Sequence, residues 1–119
     1  MIILTGCASR AVTKLADKSR PIPAHHEPVC LIRAPLSSDI KYTVIGELDG
    51  SKRTYGSVSE IIPVMADEAR SVGADAIINL KTGQSFSPLA WSRPVGSGLA
   101  IKLDKREGFD CQAKNGEWH

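Results

Sequence analysis

Ser57-Val58-Ser59-Glu60-Ile61-Ile62-Pro63-Val64-Met65-Ala66-Asp67-Glu68-Ala69-Arg70-Ser71-Val72-Gly73-Ala74-Asp75-Ala76-Ile77-Ile78-Asn79-Leu80 is the stretch whose reading decides the fold. Val58, Ile61, Ile62, Met65, Ala69 and Val72 recur at three-and-four spacing and fall along one helical stripe, while Glu60, Asp67, Glu68 and Arg70 occupy other faces. Gly73 supplies a left-handed helix stop. Ala74 to Leu80 then alternate, with Ala76, Ile78 and Leu80 on one side and Asp75, Ile77 and Asn79 on the other, which predicts a strand. A single apolar stripe needs a sheet to cover it, and the small alanines let helix and sheet lie close.

Ser57 followed three residues later by Glu60 fits a capping box, so the helix is expected to begin there. Pro63, inside the first two turns, removes the bond to the Ser59 carbonyl. The sequence therefore predicts either a helix kinked at Pro63 or a short turn over residues 57–62 followed by a regular helix.

Upstream, Val29-Cys30-Leu31-Ile32 is a short apolar run closed by Pro35 and reads as the first strand. Lys41 to Leu48 has period two, with Tyr42, Val44 and Leu48 on one side and Lys41, Thr43, Ile45 and Glu47 on the other. Gly46 suggests a bulge or a close backbone approach, and Asp49-Gly50 a turn that ends the strand. Downstream, residues 82–94 read as a loop whose only large apolar residues are Phe86 and Trp91. These two either cover an edge of the core or form an exposed contact for a partner. Gly96-Ser97-Gly98 lacks the following lysine of a phosphate cradle, so a strand continuing through Leu99, Ile101 and Leu103 is favoured. The order strand, strand, helix, strand, strand predicts an α+β domain over residues 29–103, one helix on an antiparallel sheet, followed by a polar tail over 104–119.

At 119 residues, 42% of them hydrophobic, the chain has room for one modest core. Fifteen basic against thirteen acidic side chains give a net charge of +2, far below the excess that marks a nucleic-acid partner, and the 5% of aromatics form no stacking platform. Nucleic-acid binding is set aside. No apolar run reaches the length of a membrane-spanning helix.

The start of the chain is distinctive in another way. Met1 to Gly6 look like the tail of an apolar export signal, and Leu4-Thr5-Gly6-Cys7 resembles the bacterial lipobox. That resemblance implies that residues 1–6 are removed, that Cys7 carries acyl chains, and that Ala8, in place of aspartate, directs the protein to the outer membrane. Lipid is then its first partner, with the domain facing the periplasm or the cell surface. Residues 8–28 contain Pro21, Pro23 and Pro28 and few large apolar side chains, which predicts a tether from Cys7 to the domain, extended at about 3.1 Å per residue. Arg10, Lys14, Lys18 and Arg20 outnumber Asp17 and Glu27 there, suiting either anionic headgroups or a solvated linker.

With Cys7 assigned to lipid, Cys30 and Cys111 remain. Export exposes them to oxidising conditions, so a disulfide tying the tail to the first strand is preferred over two separate thiols. His25, His26 and Cys30 are a weaker candidate metal set, because adjacent histidines on an extended chain point apart and no second ligand pair follows at zinc-site spacing. Catalysis is not expected: His25, His26 and His119 all lie outside the predicted core, and Cys111 with His119 sits on a tail that would not hold a thiol-imidazole pair rigidly. No catalytic residue and no cofactor is assigned.

Tyr42-Thr43-Val44-Ile45-Gly46-Glu47-Leu48-Asp49-Gly50-Ser51, the helix ending Glu68-Ala69, Gly73-Ala74-Asp75-Ala76-Ile77-Ile78 and Gly96-Ser97-Gly98-Leu99-Ala100-Ile101 resemble the small domain shared by the YbjQ-like proteins and the RcsF-type outer-membrane stress-sensor lipoproteins. The resemblance implies a compact α+β domain without enzymatic activity and, for the sensor branch, a role in relaying envelope damage through protein contacts. Lys52, Arg53 and Lys81 stand where the sensors carry cysteine, so no signalling residue transfers. The expectation is a lipid-anchored, non-enzymatic envelope protein that contacts an unidentified envelope protein, with Phe86 and Trp91 as the candidate contact. The alternative is a small metal-binding or metal-responsive protein of the YbjQ-like type.

Overall fold

The computed structural model describes residues 9–16, 22–53, 55–86 and 92–119. Helix α1, Val58–Ser71, buries Ile61, Met65, Ala66 and Ala69, with Ile62 and Val72 half-buried beside them. It begins where the capping box places it: the Glu60 carboxylate accepts the Ser57 N–H at 2.7 Å. Lys52 reaches the same carboxylate at 2.8 Å. Pro63 neither starts nor ends the helix, which runs through it. The proline is exposed, so the Ser59 carbonyl it leaves without a helical partner lies near solvent. Gly73, at φ 83°, closes the helix, and the Ala74 N–H bonds back to the Ala69 carbonyl at 2.8 Å.

Beneath the helix lies a mixed sheet of six strands: β1 (Ser9–Leu15), β2 (Cys30–Leu31), β3 (Tyr42–Lys52), β4 (Ala76–Phe86), β5 (Ser92–Leu103) and β6 (Glu117–Trp118). Their spatial order is β1-β3-β5-β4-β2-β6. The α+β class stands, but three details differ from the sequence reading, the first being that β6 adds a third strand after the helix, inside the expected polar tail. Three strands, not two, precede the helix. The sheet is also not wholly antiparallel, because β2 runs parallel to β4, with Cys30 opposite Ala76 and Leu31 opposite Ile77. The reason is the path of the chain: β3 leads through α1 into β4 with β5 filling the gap between them, and β2 joins the far side of β4 in the same direction.

The extra strand before the helix is β1, inside the stretch expected to be a tether. It pairs along its whole length with β3, Ser9 opposite Lys52 and Leu15 opposite Gly46. Ala11, Thr13 and Leu15 turn towards the helix, where the Thr13 hydroxyl donates to Glu68 at 2.7 Å, and Arg10, Val12 and Lys14 face away. An edge strand needs only one weakly apolar side, and its backbone bonds carry no side-chain signature. Ile22 packs on the core and the His25 N–H bonds to the Arg70 carbonyl, so the chain returns along the end of the helix.

The remaining differences come from bulges and length. In β3 an irregularity falls between Val44 and Gly46, as Gly46 suggested, and it turns Ile45 into the core while Val44 stays exposed. Asp49-Gly50 is no turn: β3 continues to Lys52 because β1 and β5 pair with it on both sides. Gly50 and Gly96 lie side by side under Met65, where a Cβ on either would stand 2.9 Å from the sulfur, so these glycines admit the helix. In β4 a second irregularity between Ile78 and Lys81, with Asn79 at φ 54°, moves Leu80 to the face of Ile77 instead of that of Ile78. Most of the expected loop over 82–94 is strand, since β4 reaches Phe86 and β5 starts at Ser92, opposite it.

The core has two faces. Helix-side residues include Leu48, Ile61, Met65, Ile77 and Ala100. The opposite face is filled at one end by Ile32, Ala76, Ile78, Ile101 and Leu103 around the disulfide between Cys30 and Cys111. Among the described residues, no helix is long and apolar enough to cross a membrane.

Candidate functional site

The two ends of the sheet differ in chemistry. Strands β3 and β5 run its full length, so at about 3.3 Å per residue the ends are roughly 30 Å apart. At one end β1 begins, β3 finishes and the β4–β5 hairpin closes, because Ser9 pairs with Lys52, Ser51 with Val95 and Phe86 with Ser92. At the other, β3 starts and β5 finishes, Tyr42 opposite Leu103.

Phe86, singled out as a contact, stands at the first end and is 78% exposed. It covers no core edge. Tyr55, 71% exposed, is at the same end, since the Gln84 side chain donates to the neighbouring Gly56 carbonyl at 3.1 Å. Trp91 and Cys7 lie outside the described residues. Ser9 follows Cys7 by two positions, so an anchor on that sulfur attaches within about 7 Å of chain from β1.

The sheet face turned away from the helix carries a shallow depression of about 410 Å³ lined by Arg10, Val12, Asp49, Ser51, Arg53 and Arg93. Register brings the three arginines together. Arg10 is opposite Ser51, Ser51 is opposite Val95, and Arg53 and Arg93 each lie two residues further out on the same face. None of the three forms an ion pair among the described residues. Sequence reasoning names Arg10 as part of a basic tether and Arg53 only as a departure from the sensors' cysteines, because residues so far apart in the chain meet only once the register is known.

At the far end a groove of about 570 Å³ runs between the segment before β3 and the segment after β5. Ile40 and Phe109 are apolar residues in its lining, and Asp39, Lys41, Asp104, Lys105, Glu107, Asp110 and Lys114 give it charges of both signs. The Ser37 hydroxyl, bonded to Asp39, holds that carboxyl below the ordinary aspartate range.

Beside the groove, the tail is fastened by a buried ionic clasp that the sequence did not announce. Asp75, 4% exposed, accepts the Leu103 N–H at 2.9 Å and Arg106 Nη1 at 2.7 Å. Arg106 also donates to the Pro28 carbonyl at 2.6 Å, pairs with Glu27 at 2.9 Å and stacks over Trp118 at 5.5 Å. Alternation placed Asp75 on one side of β4, but nothing in a local pattern names Arg106 as its partner.

The candidate metal residues are otherwise engaged. The Cys30 sulfur is bonded to Cys111, with the α-carbons 5.8 Å apart. His25 Nδ1 accepts the Glu27 N–H at 3.0 Å, which leaves the proton on Nε2, donated to the Ala74 carbonyl at 2.6 Å. Both ring nitrogens therefore have protein partners, and only His26 stands exposed. Among the described residues, no three histidine, cysteine or carboxylate side chains gather where they could hold a metal ion.

Comparison of the chain with protein-family models, with curated proteins and with solved structures finds no match.

Proposed function

We propose that this protein is a lipid-anchored component of the bacterial cell envelope, held in the outer membrane through acylated Cys7, and that it acts without catalysis by contacting another envelope protein. The observation that carries the proposal is that β1 is built into the sheet, paired along its whole length with β3. β1 starts two residues after Cys7, so acylation ties one end of a rigid sheet to the bilayer and turns the groove at Ile40 and Phe109 away from it. Mixed charges around apolar side chains suit a protein partner.

The Cys30–Cys111 bond supports an oxidising compartment. An envelope-sensing role of the RcsF type is the specific form of this proposal that the sequence resemblance suggests.

The test has two arms. Precursor expressed in bacteria fed a clickable fatty acid should take up label, and Cys7→Ala should lose it. Unchanged labelling of Cys7→Ala, or no label on the parent, ends the anchor reading. Photo-crosslinking residues placed at Ile40 and at Phe109 should capture one discrete envelope protein, and capture that survives Ile40→Asp would show that the groove is not the contact.

A further inference from the structure

We propose that the anchor end of the sheet is itself a membrane-docking surface, on which lipid phosphates enter the depression between Arg10, Arg53 and Arg93 while Phe86 and Tyr55 sit among the headgroups. The chemistry favours this occupant over a protein for three reasons. Guanidinium groups bind phosphate oxygens in bidentate fashion, and three of them line one shallow hollow in which Asp49 is the single carboxylate. Phe86 and Tyr55, the most exposed large apolar side chains among the described residues, stand at the same end of the sheet as the arginines. The register puts Phe86 on the helix side of the sheet and the arginines on the other, so a membrane met by this end of the sheet would find basic side chains on one face and an aromatic ring on the other.

The third reason is the position of Cys7, and this one rests on the anchor proposed above. The acyl chains on Cys7 already meet the two signals a stable anchor takes, so a basic patch beside them would set how the domain lies on the bilayer. With only Ala8 between Cys7 and β1, the arginine-lined end cannot stand far from the bilayer once the sulfur is acylated. The protein would then lie close against the membrane, where a tether over residues 8–28 would have held it at a distance.

The experiment uses unacylated full-length chain, Cys7→Ser, with its disulfide formed, so the outcome does not depend on whether the anchor exists. Co-sedimentation is measured with vesicles of phosphatidylcholine and with vesicles containing about 30% phosphatidylglycerol. Binding is expected only to the anionic vesicles, and to weaken with salt. Each basic residue near such a surface is worth about fivefold, so Arg10→Gln/Arg53→Gln/Arg93→Gln should weaken binding on the order of a hundredfold. Phe86→Ala should weaken it without changing the salt slope. A control of equal charge loss at the far end, Lys41→Gln/Lys105→Gln/Lys114→Gln, should leave it within about threefold of the parent. The replaced arginines and lysines are polar and Phe86 is exposed, and circular dichroism checks that each variant folds.

Equal binding to neutral and anionic vesicles overturns the proposal, as does absence of binding or an equal effect of the far-end control. Release by inorganic phosphate, where chloride of the same ionic strength releases nothing, would mark a small-anion site and overturn it too. Fatty-acid labelling reads the anchor separately, so either idea can fail alone.

Discussion

Replacing Asp75 with asparagine should cost far more than any other single carboxylate change in this chain. The carboxylate is 4% exposed and accepts two bonds, one from the Leu103 N–H and one from Arg106. Hydrogen bonds to charged groups contribute about 1.5–3 kcal/mol each. Asparagine keeps one acceptor oxygen, presents an amide donor to the other neighbour, and leaves the guanidinium short of a buried counter-charge. Arg106 retains Glu27 and the Pro28 carbonyl, so the full penalty for breaking a buried pair, about 3–5 kcal/mol, is softened. The expected loss is about 3 kcal/mol. Urea unfolding of oxidised protein, with unchanged slope, measures it. In a cycle with Arg106→Gln the two changes should couple by about 1–2 kcal/mol. Glu27→Gln removes the exposed arm of the same guanidinium and should cost below about 1 kcal/mol. A loss under about 0.5 kcal/mol for Asp75→Asn, or zero coupling with Arg106, would refute the clasp as the fastening of the tail.

Cys30→Ser/Cys111→Ser opens a loop spanning a sequence separation of 81, worth about 4.5 kcal/mol in the chain-entropy estimate, and reduction of the parent should lower its urea midpoint by the same mechanism. An unmoved midpoint would mean the bond constrains nothing. Gly96→Ala places a Cβ 2.9 Å from the Met65 sulfur and 3.2 Å from Ile61 Cδ1 and should cost about 1–3 kcal/mol, partly recovered in combination with Met65→Ala. No recovery in the double variant would show that the glycine serves something other than helix approach.

The Glu60 carboxyl is held below its ordinary value of 4.5, first by its bond to Lys52 and then by the Ser57 N–H. A lowered folded-state value means stabilisation that is present above the unfolded value and lost as pH falls through the folded one. The stability gap between parent and Glu60→Gln should therefore be full at neutral pH and close under acid conditions, and a gap that persists in acid would contradict the assignment.

Legibility followed the range of the information. Ile61, Met65 and Ala69 announce a helix, and Gly73 its end, because a three-and-four spacing and a left-handed stop are written within a few residues. The Cys30–Cys111 bond was legible from compartment and cysteine count, without any geometry. β1 was not, since an edge strand of alternating small and charged residues has the composition of a linker, and what makes it a strand is the backbone of β3 beside it. Leu80 was placed on the wrong face for a related reason: strict alternation fails once Asn79 takes a left-handed conformation, and only the pairing with β5 shows that it does. Residues 82–86 and 92–94 are strand-poor in composition and become strand through their pairing with one another.

From the sequence alone came the helix and its glycine stop, the strand that follows it and the class of fold, with the disulfide preferred over two thiols, all of them consequences of local periodicity or of simple chemistry. Only the tertiary structure decided that Asp75 is buried against Arg106, that Arg10, Arg53 and Arg93 share one hollow, and that Phe86 stands at the end of the sheet where β1 begins. Those facts depend on strand register, which is set by the match of apolar patterns between strands far apart in the chain and by the turns that join them, so no single stretch of residues contains it.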